Sequence, residues 1–245
     1  MPNKRIRLFA GPNGSGKSSL FYEFSKKYPT GYFVNADEIE KKLIASGFID
    51  LKEIGVTATQ QDLDDFSNIP SSVSLLSKAN NENHTIDVSI AENCIVDKSR
   101  TSHSYEASYI AGFIRYLLIK ENKSFSFETV MSHEAKITEV EQLTNEGYQA
   151  YLYFVCIDDP DVNISRVANR VDKGGHPVAG KKVLERYYRT LSHLHKILPL
   201  CYRAYLFDNS GKKQSLIAEL YDGAMELKTD SPPQWFIEYV LPYYQ

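Results

Sequence analysis

The chain has 245 residues, of which 42% are hydrophobic and 24% charged, as in a globular protein long enough to bury a sizeable core. Its formal net charge of -3 disfavours a general binder of nucleic acid or of anionic membranes, because such proteins usually carry a basic excess. Three widely spaced cysteines, Cys94, Cys156 and Cys201, indicate neither a disulfide framework nor a C-x-x-C metal site.

The N-terminal part of the chain predicts the order strand, loop, helix, strand, helix. Residues 4–10 predict a short buried strand that leads into a glycine-rich loop, and residues 15–28 predict a helix that Pro29 ends. Residues 32–35 then predict a second strand and residues 38–45 a second helix. This order is typical of the beginning of a parallel α/β sheet.

The stretch from about 48 to 104 has a weaker pattern. It contains a polar segment at 59–66 that predicts a helix, followed by the loop-rich sequence "SKANNENHTIDVSIAENCIVDKSR". We interpret this stretch as a helical and loop insertion into a single domain that spans residues 1–245.

The remaining residues predict a regular alternation of helices and strands. Helices are expected at 105–121, 135–146, 163–171 and 181–197, and strands at 124–130, 149–157 and 202–207. A hairpin with Asp222 and Gly223 in its turn and a short helix containing Trp235 follow. The expected fold class is therefore α/β: a P-loop NTPase three-layer sandwich with a central, mostly parallel five-stranded sheet and a C-terminal hairpin.

The strongest motif is "LFAGPNGSGKSS" at residues 8–19, which matches the phosphate-loop pattern G-x-x-x-x-G-K-[ST] between a predicted strand and a predicted helix. Glycines let backbone N-H groups turn inward around an anion, and the positive end of the helix dipole adds to this field. Lys17 would reach the β- and γ-phosphates, and Ser18 would be a Mg²⁺ ligand. The expected ATP-binding residues are Gly11, Pro12, Asn13, Gly14, Ser15, Gly16, Lys17, Ser18 and Ser19.

Other classes of P-loop protein lack their further signatures here. A transporter-type ATPase would need an LSGGQ-like segment, and a GTP switch would need N-K-x-D, and neither occurs in the chain. The sequence therefore favours a kinase.

Acidic residues lie in or just after several predicted strands, where α/β proteins build their sites. We interpret Asp158 as a helix-capping or loop carboxylate. Asp37 is the candidate general base, because its strand neighbours the phosphate loop in many such kinases and a carboxylate there can accept the proton of an attacking hydroxyl.

Arginines on two predicted helices flank the glycine-containing segment "KGGHPVAGK". Arg166 and Arg170 are four residues apart on the first helix, and Arg186 and Arg189 lie on the second. This pattern is typical of a lid that closes over a triphosphate and stabilises the transferring group. His176, within the segment, would either contact phosphate or order the loop.

The chain resembles the zeta-toxin-like family of P-loop kinases along most of its length. The segments that carry the resemblance are "AGPNGSGKSSL", "NADEI", "SFETVMSH", "GYQAYLYFVCID", "NISRVANRVDKGGHPV", "RYYRTLSHL" and "LFDNS". The most similar branch is often labelled as predicted ABC-type ATPases. The resemblance implies phosphorylation of the 3'-hydroxyl of UDP-N-acetylglucosamine with ATP and Mg²⁺, and inhibition by a small helical antitoxin.

The resemblance also implies roles for individual residues. Asp37 falls where the family has its catalytic base, and Glu128 and Thr129 fall where it binds the sugar nucleotide. Lys17 and Ser18 match the phosphate and Mg²⁺ residues, and Arg166 and Arg170 match the first basic cluster of the lid, with either Arg186 or Arg189 completing it. The region between Asp37 and Glu128 is longer than in compact zeta toxins, which leaves the acceptor open.

We therefore expect a cytoplasmic, ATP- and Mg²⁺-dependent kinase of a small-molecule hydroxyl, without a membrane contact. Two alternatives remain: a nucleotide-dependent interaction module with slow or absent hydrolysis, and a kinase of nucleic-acid ends, which the acidic net charge disfavours. Toxicity does not follow from the sequence.

Overall fold

The computed structural model describes residues 4–99, 103–172 and 178–244, and the chain divides into two compact units. The first unit consists of Met1–Thr30 together with Ser126–Gln245, and the second of Gly31–Phe125. The predicted insertion at about 48–104 lies within the second unit. Within the described ranges, no helix combines the length and the apolar character needed to cross a membrane.

The first unit is built on a mixed sheet. Its strands are β1 (Arg5–Ala10), β6 (Phe125–Thr129), β7 (Gln149–Cys156), β8 (Arg203–Asp208), β9 (Ser215–Tyr221) and β10 (Ala224–Leu227). They lie in the order β10-β9-β8-β7-β1-β6. Strand β7 pairs in parallel with both β1 and β8, with Leu152 opposite Leu8 on one side and opposite Ala204 on the other. Strands β9 and β10 add to this sheet in antiparallel orientation.

The centre of this sheet is apolar on both faces. Five consecutive residues of β7, from Leu152 to Cys156, are buried, because a parallel strand is covered by other elements on both sides. The ring of Phe9 stacks on that of Tyr153 at 4.9 Å between centroids, and Phe154 contacts Trp235 at 5.7 Å. The helices of this unit are α1 (Lys17–Ser25), α7 (Ala135–Asn145), α8 (Pro160–Val171), α9 (Gly180–Ser192), α10 (Leu194–Ile197) and α11 (Gln234–Tyr239).

Asp158 does not cap the helix that directly follows it, because Asp159 is the N-cap of α8 and accepts from the N-H of Asp161 at 2.9 Å. Asp158 instead pairs with the backbone of a different helix. Its carboxylate accepts hydrogen bonds from the backbone N-H groups of Gln234 (3.1 Å) and Trp235 (2.9 Å), at the beginning of α11. A carboxylate in this position satisfies donors that the helix itself cannot pair. The indole Nε1 of Trp235 donates to Asp208 at 3.1 Å, so two carboxylates that follow or end sheet strands hold the C-terminal helix.

In its described residues, the second unit contains a small antiparallel sheet and five helices. Its elements are β2 (Tyr32–Val34), α2 (Ala36–Ser46), β3 (Phe48–Asp50), α3 (Leu51–Ile54), α4 (Gln60–Ser67), α5 (Pro70–Asn81), β4 (Val88–Ala91), β5 (Cys94–Asp97) and α6 (Ser104–Lys120). Helix α6 packs against α2 and contributes eight buried residues to the apolar core. Phe66 of α4 contacts the rings of Tyr109 and Phe113, with ring centroids 5.1 and 5.4 Å apart.

The prediction of an insertion made only of helices and loops is wrong, because β3, β5 and β4 form a three-stranded antiparallel sheet there. Strands β4 and β5 are joined by Glu92 and Asn93, whose φ angles of 48° and 60° are those of a tight hairpin turn. The expected C-terminal hairpin is confirmed, with Asp222 and Gly223 in its turn at φ 51° and 75°. This hairpin extends the predicted mostly parallel sheet, because β9 pairs with β8 in antiparallel orientation.

Candidate functional site

The loop between β1 and α1 has a backbone that requires its glycines. Gly11, Gly14 and Gly16 have φ angles of 144°, 75° and 106°. A Cβ atom on Gly11 would lie 2.0 Å from the carbonyl oxygen of Val155, and one on Gly16 would lie 2.5 Å from Nδ2 of Asn209. Side chains are therefore excluded on both conformational and steric grounds, and the loop presents its backbone instead.

Two asparagines outside the motif hold this loop in place. Asn163 of α8 donates from Nδ2 to the carbonyl oxygen of Asn13 at 2.6 Å, and Asn209, just after β8, donates to that of Ser15 at 2.7 Å. No sequence motif marks either residue as functional. Their positions in the sequence could have indicated a role, because both follow the carboxyl ends of sheet strands near the predicted site.

Lys17 and Ser18 meet one carboxylate at the end of β6. The ammonium group of Lys17 lies 3.7 Å from Oε1 of Glu128 and donates to the carbonyl oxygen of Pro12 at 3.0 Å. The Ser18 hydroxyl donates to Oε2 of Glu128 at 2.8 Å. Lys17 is 6% exposed and Glu128 18%, so water screens this ion pair little. The Glu128 carboxylate therefore contacts the side chains of Lys17 and Ser18.

The residues of the loop fit a nucleotide phosphate and a magnesium ion. The hydroxyl of Ser15 is buried and has no hydrogen-bond partner among the described residues, so it can donate a hydrogen bond to an anion bound in the loop. Ser18 and Glu128 offer a hydroxyl and a carboxylate oxygen, and Mg²⁺ in nucleotide sites binds one or two carboxylates together with phosphate oxygens. Within the described ranges, no group of three His, Cys, Asp or Glu side chains could hold a metal by itself.

Asp37 lies in the second unit, in the first turn of α2. Asn35 caps this helix by accepting from the N-H groups of Asp37 (2.8 Å) and Glu38 (3.3 Å). The cap fixes the backbone at Asp37 and leaves its carboxylate exposed to solvent. Its role as general base stays a prediction.

The four arginines that the sequence predicts as lid residues lie on two helices of the first unit. On α8, Arg166 donates to the carbonyl oxygen of Asn209 at 3.4 Å, and Arg170 is exposed. On α9, Arg189 is exposed, whereas Arg186 is half-buried and its Nε is buried without a hydrogen-bond partner in the described part of the chain. Burial, together with the charge of Arg189, lowers the pKa of Arg186. His176 lies outside the described residues.

Thr129, at the end of β6, has a local structural contact. Its hydroxyl oxygen accepts a hydrogen bond from the backbone N-H of Met131 at 3.0 Å. This bond shapes the turn that follows β6, so Thr129 contributes at least to the position of its neighbour Glu128. The predicted sugar-nucleotide contacts of both residues stay predictions.

The comparisons with known proteins rest on structure. No family model matches the sequence, and a search of curated proteins finds no match. Among solved structures, the AvrRxo1-ORF1:AvrRxo1-ORF2 complex with sulphate ions is similar, with a TM-score of 0.53 and 14% identity over 99% of this chain and 65% of that chain. The AvrRxo1-ORF1:-ORF2 structure with ATP gives a TM-score of 0.52 and 16% identity, covering 92% of this chain and 61% of that chain.

A further structural neighbour is the PezAT chromosomal toxin-antitoxin system of Streptococcus pneumoniae, with 12% identity, coverage of 89% of this chain and 72% of that chain, and a TM-score of 0.48. The chain spans slightly less than two thirds of the two AvrRxo1-ORF1 structures. These likenesses concern the fold. The predicted α/β fold with a large, mostly parallel sheet is confirmed, and the AvrRxo1-ORF1 structures share it.

Proposed function

We propose that this protein is an ATP- and Mg²⁺-dependent phosphotransferase that phosphorylates a hydroxyl group of a small molecule. The observation that carries the proposal is the convergence of Lys17, Ser18 and Glu128 at a glycine loop that only a bare backbone can form. An anion-binding loop with an adjacent carboxylate is what phosphoryl transfer needs to hold a nucleotide and its metal. The similarity in fold to a protein determined with ATP supports the choice of nucleotide.

Each residue then has a defined task. Lys17 neutralises the β- and γ-phosphates, and Ser18 and Glu128 would bind the Mg²⁺ that accompanies the nucleotide. Asp37 accepts the proton of the attacking hydroxyl. Bound Mg²⁺ supplies positive charge against the phosphate oxygens. Arg166 and Arg170 stabilise charge on the transferring group.

UDP-N-acetylglucosamine is the first acceptor to test, and a small antitoxin-like protein is a candidate partner. The acceptor follows only from the sequence resemblance. The partner has additional support, because the two AvrRxo1-ORF1 neighbours were determined as complexes with a second protein. Both belong to the proposal, as does a cytoplasmic location.

The test is product detection by mass spectrometry after incubation with ATP, Mg²⁺ and either a cell extract or a panel of UDP-sugars, nucleosides and aminoglycosides. A product 80 mass units heavier than its acceptor, about the mass of one phosphoryl group, supports transfer. Asp37→Asn should abolish transfer and keep ATP binding, whereas Lys17→Ala should weaken both. Release of phosphate to water with no phosphorylated acceptor would overturn the kinase proposal and favour a nucleotide-dependent interaction module.

A further inference from the structure

The end of β6 and the turn that follows it link Glu128 to helix α9 through hydrogen bonds. Residues 128–132, here called the Glu128 turn, begin with the carboxylate that contacts Lys17 and Ser18. The residues that follow Glu128 form hydrogen bonds within the turn and with side chains of α9 and its C-terminal end. The position of Glu128 therefore depends on what fixes this turn.

The turn contains a residue with a strained backbone. Met131 has φ 60°, a left-handed conformation that a long side chain adopts only at a cost of about 1–3 kcal/mol, offset by its surroundings. Its side chain is 1% exposed, and its N-H donates to Thr129. Such a conformation persists only where further contacts fix it.

Two side chains from α9 and its C-terminal end supply these contacts. The hydroxyl of Thr190 donates to the carbonyl oxygen of Val130 at 2.8 Å, and Nδ1 of His193 lies 3.0 Å from the carbonyl oxygen of Met131 and donates to it. Thr190 is fully buried. Its hydroxyl therefore has no access to water as an alternative partner, and both bonds go to consecutive carbonyls of the Glu128 turn.

The same face of the helix carries a lid arginine. Residues 186, 190 and 193 are spaced by four and three, so Arg186, Thr190 and His193 share one face near the end of α9. A movement of α9 would therefore act on Arg186 and on the Glu128 turn together.

We infer that Thr190 and His193 are positioning residues that fix the Glu128 turn to α9 and so hold the Glu128 carboxylate against Lys17 and Ser18. The inference rests on the proposed function for its consequence in phosphoryl transfer. Its structural content, the dependence of Glu128 on two side chains of α9, can be measured on ATP binding alone.

The principal test compares Thr190→Val, which keeps the shape and removes the hydroxyl, with Thr190→Ser, which keeps the hydroxyl. Fluorescent ATP is titrated into each full-length variant, once with EDTA and once with Mg²⁺. In wild type, Mg²⁺ should increase the affinity for ATP, and in Thr190→Val this increase should be about tenfold smaller, because Glu128 is proposed to bind the metal. In EDTA, the affinity of Thr190→Val should lie within about twofold of that of wild type. Thr190→Ser should match wild type in both conditions.

A double-mutant cycle separates positioning from a general loss of stability. If Thr190 acts through Glu128, Thr190→Val should add nothing to the effect of Glu128→Gln on the Mg²⁺-dependent gain. Additive effects, or an equal loss of affinity with and without Mg²⁺, would overturn the inference. His193→Ala repeats the test at the second contact, in case the valine variant does not fold.

Amide hydrogen exchange gives a readout without nucleotide. Exchange in residues 128–132 should be about tenfold faster in Thr190→Val than in Thr190→Ser, since one anchor of the turn is lost. Equal exchange in the two variants would contradict the inference. The kinase proposal can fail without touching these results, because they need no acceptor and no transfer.

Discussion

Gly11 is the phosphate-loop residue with the least space for a side chain. Its φ of 144° and the 2.0 Å from an added Cβ to the backbone oxygen of Val155 mean that Gly11→Ala must displace β7 or the loop itself. We expect this variant to lose ATP binding and to be destabilised by about 2–4 kcal/mol, as for substitutions that combine overpacking with backbone strain. Urea unfolding and ATP titration measure the two effects.

Gly147→Ala is the matched control for this substitution. Gly147 also has a positive φ, 88°, but an added Cβ there meets no atom within 4 Å. It should therefore show only the conformational cost, about 1 kcal/mol, with ATP binding unchanged. Similar losses of stability and binding in the two variants would mean that steric contact with Val155 is unimportant.

Arg186 and Arg189 differ enough in environment to be told apart. Arg186 is half-buried with a buried Nε that lacks a hydrogen-bond partner in the described part of the chain, whereas Arg189 is exposed. A buried guanidinium stabilises developing charge more strongly than an exposed one, because water screens it less. Given the proposed function, Arg186→Gln should lower kcat by about a hundredfold and Arg189→Gln by less than about threefold, both measured by transfer assays.

At the scale of elements, helix α4 begins with a reciprocal pair of hydrogen bonds. The N-H of Thr59 donates to Asp62 at 2.7 Å, and that of Asp62 donates to the Thr59 hydroxyl at 3.3 Å. A hydrogen bond from Lys120, together with those from Thr59, lowers the pKa of Asp62 from 3.8 to about 2. The ionised carboxylate therefore links the start of α4 to the end of α6.

This lowered pKa predicts an acid-sensitive contribution to stability. Because the folded-state pKa lies below the unfolded value, the contribution is fully present above about pH 4 and is lost as the pH falls toward 2. Its size should be about 1 kcal/mol, typical of a helix cap, since Lys120 is exposed and water screens its charge. Urea unfolding at pH 5.5 and 2.5 should show a smaller loss for Asp62→Asn than for wild type. Equal losses in the two proteins would contradict the assignment.

The two hairpins show which elements a sequence pattern can predict. Asp222-Gly223 is a turn sequence with a known mechanism, since both residues adopt positive φ readily, and the C-terminal hairpin was predicted from it. Glu92 adopts φ 48° in the β4-β5 turn although glutamate rarely does so, and the strands on either side are only four residues long. Tertiary contacts decide that hairpin, so local sequence does not reveal it.

In the candidate site, too, the sequence predicts the local features and does not predict the long-range contacts. The glycine loop is a local feature, and its sequence predicts its position between β1 and α1. The contact of Ser18 with Glu128 spans 110 residues, and that of Asn209 with Ser15 spans 194, so each depends on strand order rather than on any motif. The strain at Met131 likewise results from bonds to α9, which follows it by about 60 residues.

At the scale of the whole molecule, the three cysteines report on different parts of the fold. Cys156 ends β7 and is fully buried, and burial raises the pKa of its thiol. Burial also raises the pKa of Cys201 to about 12 and raises that of Cys94, which lies in β5 of the second unit. Both of these residues are partly exposed. A thiol reacts as its thiolate and only when it is accessible, so Cys94 and Cys201 should react with a disulfide reagent before Cys156.

The protection of Cys156 should depend on nucleotide. Its neighbour Val155 contacts Gly11, and the backbone N-H of Asn209 donates to the carbonyl oxygen of Cys156 at 2.8 Å, so the opening that exposes this thiol must disrupt the phosphate loop. A ligand at 100 times its Kd stabilises the closed state by about 2.7 kcal/mol, which slows labelling through that opening about a hundredfold. We therefore expect saturating ATP and Mg²⁺ to slow the modification of Cys156 and to leave that of Cys94 unchanged. Peptide mass spectrometry after timed labelling measures both rates, with Lys17→Ala as the control that should lose the protection. A Cys156 rate that does not respond to bound ATP would show that β7 opens without the phosphate loop.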